Sequence, residues 1–365
     1  MNHMHMWIKV SATLSVCCAF AACSSSGGAP PPVAAQTQQT SIHHNDSAPA
    51  LYILNREMPK AAGWVSIYSG AGARFIRKFG VIKNETFHNE DYADMAADTS
   101  GHLYLYPAKT RGLLFVYEQF GQHLLQTIQF HKFIFGALTL DGSGNLFTGD
   151  GRFYEFASAG NGTLSETGAR KIGALPYWVA TDAMGDVGAA GGINGFNAFA
   201  PKKKKPFWTL HAPGVEYLNI AFDPSNTLYV VQAGSGSGVS LNAYAHGAST
   251  PSYTITNGAY APAQLAFDAS GNLYVLNYCT YSCGTLKNSI SIYAPGATTP
   301  TTVLQPPMGT TFNNIAVSRA GYLAVLENLT YNGGGPVVVY PPGATSPSIT
   351  IDTELQRPAQ MAFGG

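Results

Sequence analysis

The stretch "NETFHNEDYAD", residues 84–94, gathers Glu85, His88, Glu90, Asp91 and Asp94 into the densest run of titratable side chains in the chain. An imidazole beside several carboxylates can share a divalent cation, or divide the roles of general acid and general base. His88, Asp91 and Asp94, at successive spacings of three, are the candidate metal ligands, with Ca2+ or Zn2+ as the ion. The competing reading is a hydrated acidic loop, and the expectation adopted is no cofactor, with the cation as the alternative.

Other chemistry-bearing residues are sparse. "GSGSG" at 234–238 spells the letters of a nucleophile elbow but no helix follows it, and no glycine signature has the strand–helix setting that phosphate binding needs. Cys279 and Cys283, in "CTYSC", are expected to form a local disulfide if the chain reaches an oxidising compartment. The net charge is zero, with 20 basic and 20 acidic residues, so no global field draws the chain to nucleic acid.

A repeat must position these residues. "LAFDASGNLYVLNY" at 265–278 restates "IAFDPSNTLYVVQA" at 220–233 and is restated by "IAVSRAGYLAVLEN" at 315–328. Aligned on its aspartate, the phrase returns at Asp98, Asp141, Asp182, Asp223, Asp268 and Ser318, with spacings of 43, 41, 41, 45 and 50. Periods of about 40–50 residues with alternating apolar patterning mark the blades of a β-propeller, each a four-stranded antiparallel sheet. In each repeat a first strand ends at a turn such as "DASGN", a second strand and a loop follow, and third and fourth strands are joined by a turn such as "APGATTP".

The ends of the chain give the blade count. "LYILN", "WVSIY" and "ARFIRKF", beginning at 51, 64 and 73, read as strands two, three and four of a blade with no first strand, and "PAQMAF" at 358–363 reads as a lone first strand. The fold expected is all-β, a seven-bladed β-propeller closed by a split blade. The alternative is six blades, with the degenerate repeat around Asp182 absorbed as an insertion.

This topology puts the loops between second and third strands, and the connections into first strands, on one face; the Asp and Pro-Gly-Ala turns fall on the other. Four residues before each anchor stand Asp94, Ala137, Trp178, Asn219, Gln264, Asn314 and, in the split blade, Gln360. A largely polar ring at the channel mouth could bind a ligand, since amides both donate and accept. It could equally cap backbone groups between neighbouring blades. Tyr281, with Tyr278 and Tyr331, would add an aromatic surface on the same face. "PKKKKP" at 201–206 replaces a Pro-Gly-Ala turn on the opposite face and reads as a hydrated tip, or as a dock for anionic head groups.

"LAFDASGNLYVLNY" followed by "ISIY" resembles the NHL repeat, over roughly 51–363. That resemblance implies a propeller that binds proteins, glycans or nucleic acids, or less commonly a metal-assisted lyase or, in related propellers, a lactonase. The start of the chain, Lys9 followed by an uncharged run from Val10 and then Phe20-Ala21-Ala22-Cys23, looks like a bacterial lipoprotein signal, with Cys23 as the lipidated residue. The organisation expected is a signal over 1–23, a Pro/Ser/Gly-rich tether over 24–50 that lacks the apolar mass to fold, and the propeller over 51–365. The functional expectation is an exported, lipid-anchored and monomeric binding or scaffolding module at the cell envelope. Its partner would be an envelope protein or glycan, with membrane contact through the lipid and no nucleic acid. The alternative is a metal-dependent lactonase, lyase or hydrolase at the channel mouth.

Overall fold

The computed structural model describes residues 49–55, 63–80, 94–106, 113–121, 123–129, 138–149, 152–171, 178–234, 238–278, 288–329 and 334–364. Residues 46–365 form one compact unit. Within it lie seven four-stranded antiparallel sheets, each taking its strands in chain order except one. In that one, the C-terminal strand Pro358–Gly364 pairs with Ala50–Asn55, followed by Trp64–Ser69 and Arg74–Gly80. The ring is therefore seven-bladed and closed by a split blade, called blade 1 here. The six-bladed alternative fails on the segment around Asp182, which is a complete blade 4: Trp178–Thr181, Val187–Ala190, Phe196–Phe199 and Trp208–Leu210.

The core is distributed over the seams between blades. Strand side chains alternate between faces, and a blade is covered on both, so its second strand must be apolar throughout. In blade 6, Leu273 and Val275 pack toward blade 5, with Leu241 and Ile255, while Tyr274 and Leu276 pack toward blade 7, with Phe312 and Ile315. In blade 1, Tyr52 and Leu54 meet Leu103 and Leu105 of blade 2, and Leu51 and Ile53 meet Leu326 and Val337 of blade 7. This explains uninterrupted buried runs such as "LYLY" at Leu103–Tyr106.

One turn recurs between first and second strands. Asp268 accepts from the backbone N–H of Ser270 and of Asn272, both at 2.9 Å, and Gly271 takes a φ of 82° that favours glycine. Asp98, Asp141, Asp182 and Asp223 accept the same pair of hydrogen bonds, and the Ser318 hydroxyl accepts from Tyr322 N–H in their place. The aspartate that defines the sequence repeat is thus a turn-former, on the face opposite the channel rim.

Candidate functional site

The inner strands of blades 5, 6, 7 and 1 each carry a register irregularity just before or at the rim position, between Tyr217 and Ile220, Pro262 and Gln264, Phe312 and Asn314, and opposite Leu54/Asn55. Such bulges re-aim side chains, and here they turn the rim residues toward the neighbouring blade. Gln264 donates from Nε2 to Ile315 O at 2.8 Å and accepts at Oε1 from Ile315 N–H at 3.0 Å, clasping the backbone of one residue of blade 7. Asn219 donates to Ala263 O of blade 6 at 3.0 Å, and Asn314 donates to Gln360 Oε1 across the closing seam at 3.1 Å. On the outer strands Gln126 clasps Leu164 N–H and O of blade 3 in the same way, at 2.7 and 2.8 Å.

Asp94 is drawn into the same work. Its carboxylate accepts from Met95 N–H at 2.8 Å and from Leu138 N–H of blade 3 at 2.6 Å. Enclosure away from water pushes its pKa up to about 6, against the pull of those two backbone donors. Trp178 packs partly buried beside Ala190 and Tyr217 at the seam of blades 4 and 5. So the structure places Asp94, Trp178, Asn219, Gln264, Asn314 and Gln360 at one level of the inner strands, and engages the polar ones between blades. Of these groups Asn314 Oδ1 is buried without a hydrogen-bond partner. His88, Asp91, Tyr281, Tyr331, Ala137, Cys279, Cys283 and Cys23 lie outside the described residues.

Above the rim the face changes character. Buried polar groups anchor the feet of its loops: Asn277 Nδ2 donates to Gly258 O at 2.8 Å and reaches Ser289 and Ser291, and Asn55 Nδ2 bonds Ser66 Oγ at 3.0 Å while its Oδ1 accepts from Gln356 N–H at 2.9 Å. Between these anchors, large apolar side chains stand in water. Ile193 lies in the second-to-third-strand loop of blade 4 and Val239 at the foot of that loop in blade 5. Tyr260 and Met308 lie in the connections into blades 6 and 7. They are 65%, 41%, 47% and 101% exposed. All four sit on, or at the foot of, connections of the loop face, from blade 4 to the entry of blade 7. The other face is made of tight turns and exposes Met184 and Phe207, both in turns of blade 4.

One cluster escaped the sequence reading. Asp182, Asp186 and His246 come within 4.8 Å of one another, atom to atom, on the turn face at the seam of blades 4 and 5. Phe207 stacks on His246 at 5.3 Å and is 46% exposed, whereas the adjacent Trp208 is buried. Lys202–Lys205 are all exposed, at the tip of the neighbouring turn.

No known protein-family profile matches the chain, and no curated protein matches it by sequence. Solved structures do match its fold. The β-propeller domain of Cps50 (Swd1) from Myceliophteria thermophila has a TM-score of 0.53 at 14% identity, covering 72% of this chain and 86% of that one. Hydrazine synthase from Kuenenia stuttgartiensis has a TM-score of 0.51 at 11% identity, covering 71% and 80%. At such identities the likeness establishes the β-propeller architecture and leaves function to the residues.

Proposed function

We propose that this chain is an exported, lipid-anchored binding or scaffolding module of the cell envelope, which holds its partner on the loop face of an NHL-like ring. The observation that carries this reading is the set of exposed apolar side chains Ile193, Val239, Tyr260 and Met308 on the loop-face connections. Exposed apolar groups gathered on one face of a domain suit an interaction surface. Mounted on connections that vary in length, above a ring held by buried amides, they suit a recognition surface on a rigid support. The apolar chemistry favours an envelope protein over a glycan. Asp94 accepts from two backbone N–H groups, which accounts for its place in the rim without a ligand.

Anchoring at Cys23 would tether the ring through the Pro- and Ser-rich stretch that precedes the strand Ala50–Asn55. Expressed with its own N-terminus in a bacterial host, the full chain is expected in the membrane fraction, beginning at Cys23 and carrying the mass of a thioether-linked diacylglycerol. Cys23→Ser should lack that mass. A mature chain that begins elsewhere without lipid, by intact mass spectrometry, would remove the anchor from the account.

A further inference from the structure

We propose that Asp182, Asp186 and His246 form a zinc-binding site on the turn face, at the seam between blades 4 and 5. The argument rests on how blade 4 departs from its own repeat. In blades 2, 3 and 6 the second oxygen of the turn aspartate is satisfied by the residue four positions on: His102 Nδ1 meets Asp98 Oδ2 at 2.8 Å, Asn145 Nδ2 meets Asp141 Oδ2 at 2.7 Å, and Asn272 Nδ2 meets Asp268 Oδ2 at 2.7 Å. Blade 4 has Asp186 at that place, an acceptor facing an acceptor. Asp182 Oδ2 is consequently buried with no hydrogen-bond partner, on a side chain that is 0% exposed.

The second departure comes from blade 5, 60 residues further along. Blades 6 and 7 have Pro295 and Pro342 before the glycine of their outer turn, and blade 5 has His246. Its Nε2 lies 2.9 Å from Asp186 Oδ2 and 3.7 Å from Asp182 Oδ2. The ring is set between Phe207, stacked at 5.3 Å, and Trp208 at 5.7 Å, and Trp208 is itself fixed by donating from Nε1 to Ala248 O at 2.7 Å. Two exceptions to the repeat, on different blades, thus aim three ligand atoms at one point.

One imidazole nitrogen with two carboxylate oxygens is a borderline donor set, which suits zinc better than calcium or magnesium. Tetrahedral zinc with bonds of about 2.0–2.2 Å separates neighbouring ligand atoms by roughly 3.3–3.5 Å, between the two spacings seen here. Two buried carboxylates facing one another are costly without a compensating charge, and desolvation with the Asp186 charge raises the Asp182 pKa. A cation gives the orphaned Oδ2 a partner. His246 is 33% exposed, so the remaining zinc position would open to solvent. The lysines of the adjoining turn are exposed and would oppose a cation there, less strongly as salt rises.

The test is a calorimetric titration of the full chain in detergent with Zn2+, after chelator treatment, for the natural chain and for Asp186→Asn. That substitution installs the amide of blades 3 and 6, so the apo variant should melt no lower than the natural chain. The natural chain should bind one more equivalent of zinc than Asp186→Asn and gain thermal stability from it. Affinity at that equivalent should fall by at least the ~10–100-fold that loss of an outer-shell partner costs, and His246→Gln should lose the same equivalent. Equal zinc stoichiometry in the natural chain and both variants, or no zinc-dependent gain in the natural chain, would overturn the proposal. So would an apo Asp186→Asn that melts well below the natural chain, because the cluster would then be a structural ion pair.

Discussion

Ending the chain before Pro358 is expected to abolish cooperative thermal unfolding of the propeller. The deleted strand makes six register pairs with Ala50–Asn55, and without it that strand becomes an open edge. Leu51, Tyr52, Ile53 and Leu54, now 0–3% exposed, would lose cover on the channel side, and Met361 would leave the seam with blade 7. At about 1.5–3 kcal/mol for each large side chain returned to water, the loss is comparable with the roughly 5–15 kcal/mol by which a whole domain is stable. A circular permutant separates closure from the mere loss of residues. Gly364 lies opposite Ala50 in the ladder, so residues 358–364 can be joined ahead of residue 50 by a short hairpin turn, with the new ends between Ile351 and Pro358. That permutant should keep a single transition near that of the natural chain. A truncated chain that melts cooperatively at the natural temperature would show that the split blade does not hold the ring.

Gln264→Ala is expected to destabilise the ring by about 2–4 kcal/mol, seen as a lower denaturation midpoint with an unchanged denaturant slope. The Gln264 amide is the partner of both Ile315 N–H and Ile315 O, and alanine leaves the two backbone groups without it. Gln264→Glu should recover part of the loss, since a carboxylate still accepts from Ile315 N–H but opposes Ile315 O. A rim that served only a ligand would give the opposite pattern, with binding lost at full stability. Equal stability of Gln264→Ala and the natural chain, by urea denaturation, would refute the seam role.

The fold was legible because the repeat encodes it twice. An aspartate that accepts from two backbone N–H groups recurs every 41 to 45 residues from Asp98 to Asp268, and apolar runs between these turns can be buried only by a neighbour on each side. The split ends then fix the count. The level of the rim residues was legible too, but spacing along a strand cannot tell an amide that faces the channel from one that a bulge turns into the next blade. The same limit applies to Asp94, whose partner Leu138 is 44 residues away.

The Asp182 cluster left a weaker signal. It lay in differences between repeats, an aspartate where Asn145 and Asn272 stand and a histidine where Pro295 and Pro342 stand, and neither change alone shows that the two residues meet across a blade seam. The exposed apolar set left none. Ile193, Val239, Tyr260 and Met308 are spread over four connections, and single apolar residues in loops are ordinary until the topology assigns them to one face.

The most direct test of the proposed function is site-specific photo-cross-linking in cells that express the full chain with its own N-terminus. A photoreactive residue placed at Tyr260 or Met308 reports on the loop face, and one at the exposed Thr298, in an outer turn of blade 6, reports on the other. The account predicts a discrete envelope-fraction adduct from Tyr260 and Met308 that is absent from Thr298 and is lost when Ile193 and Val239 are both changed to Asp. Adducts from Thr298 alone, or equally from all three positions, would contradict a partner held on the loop face.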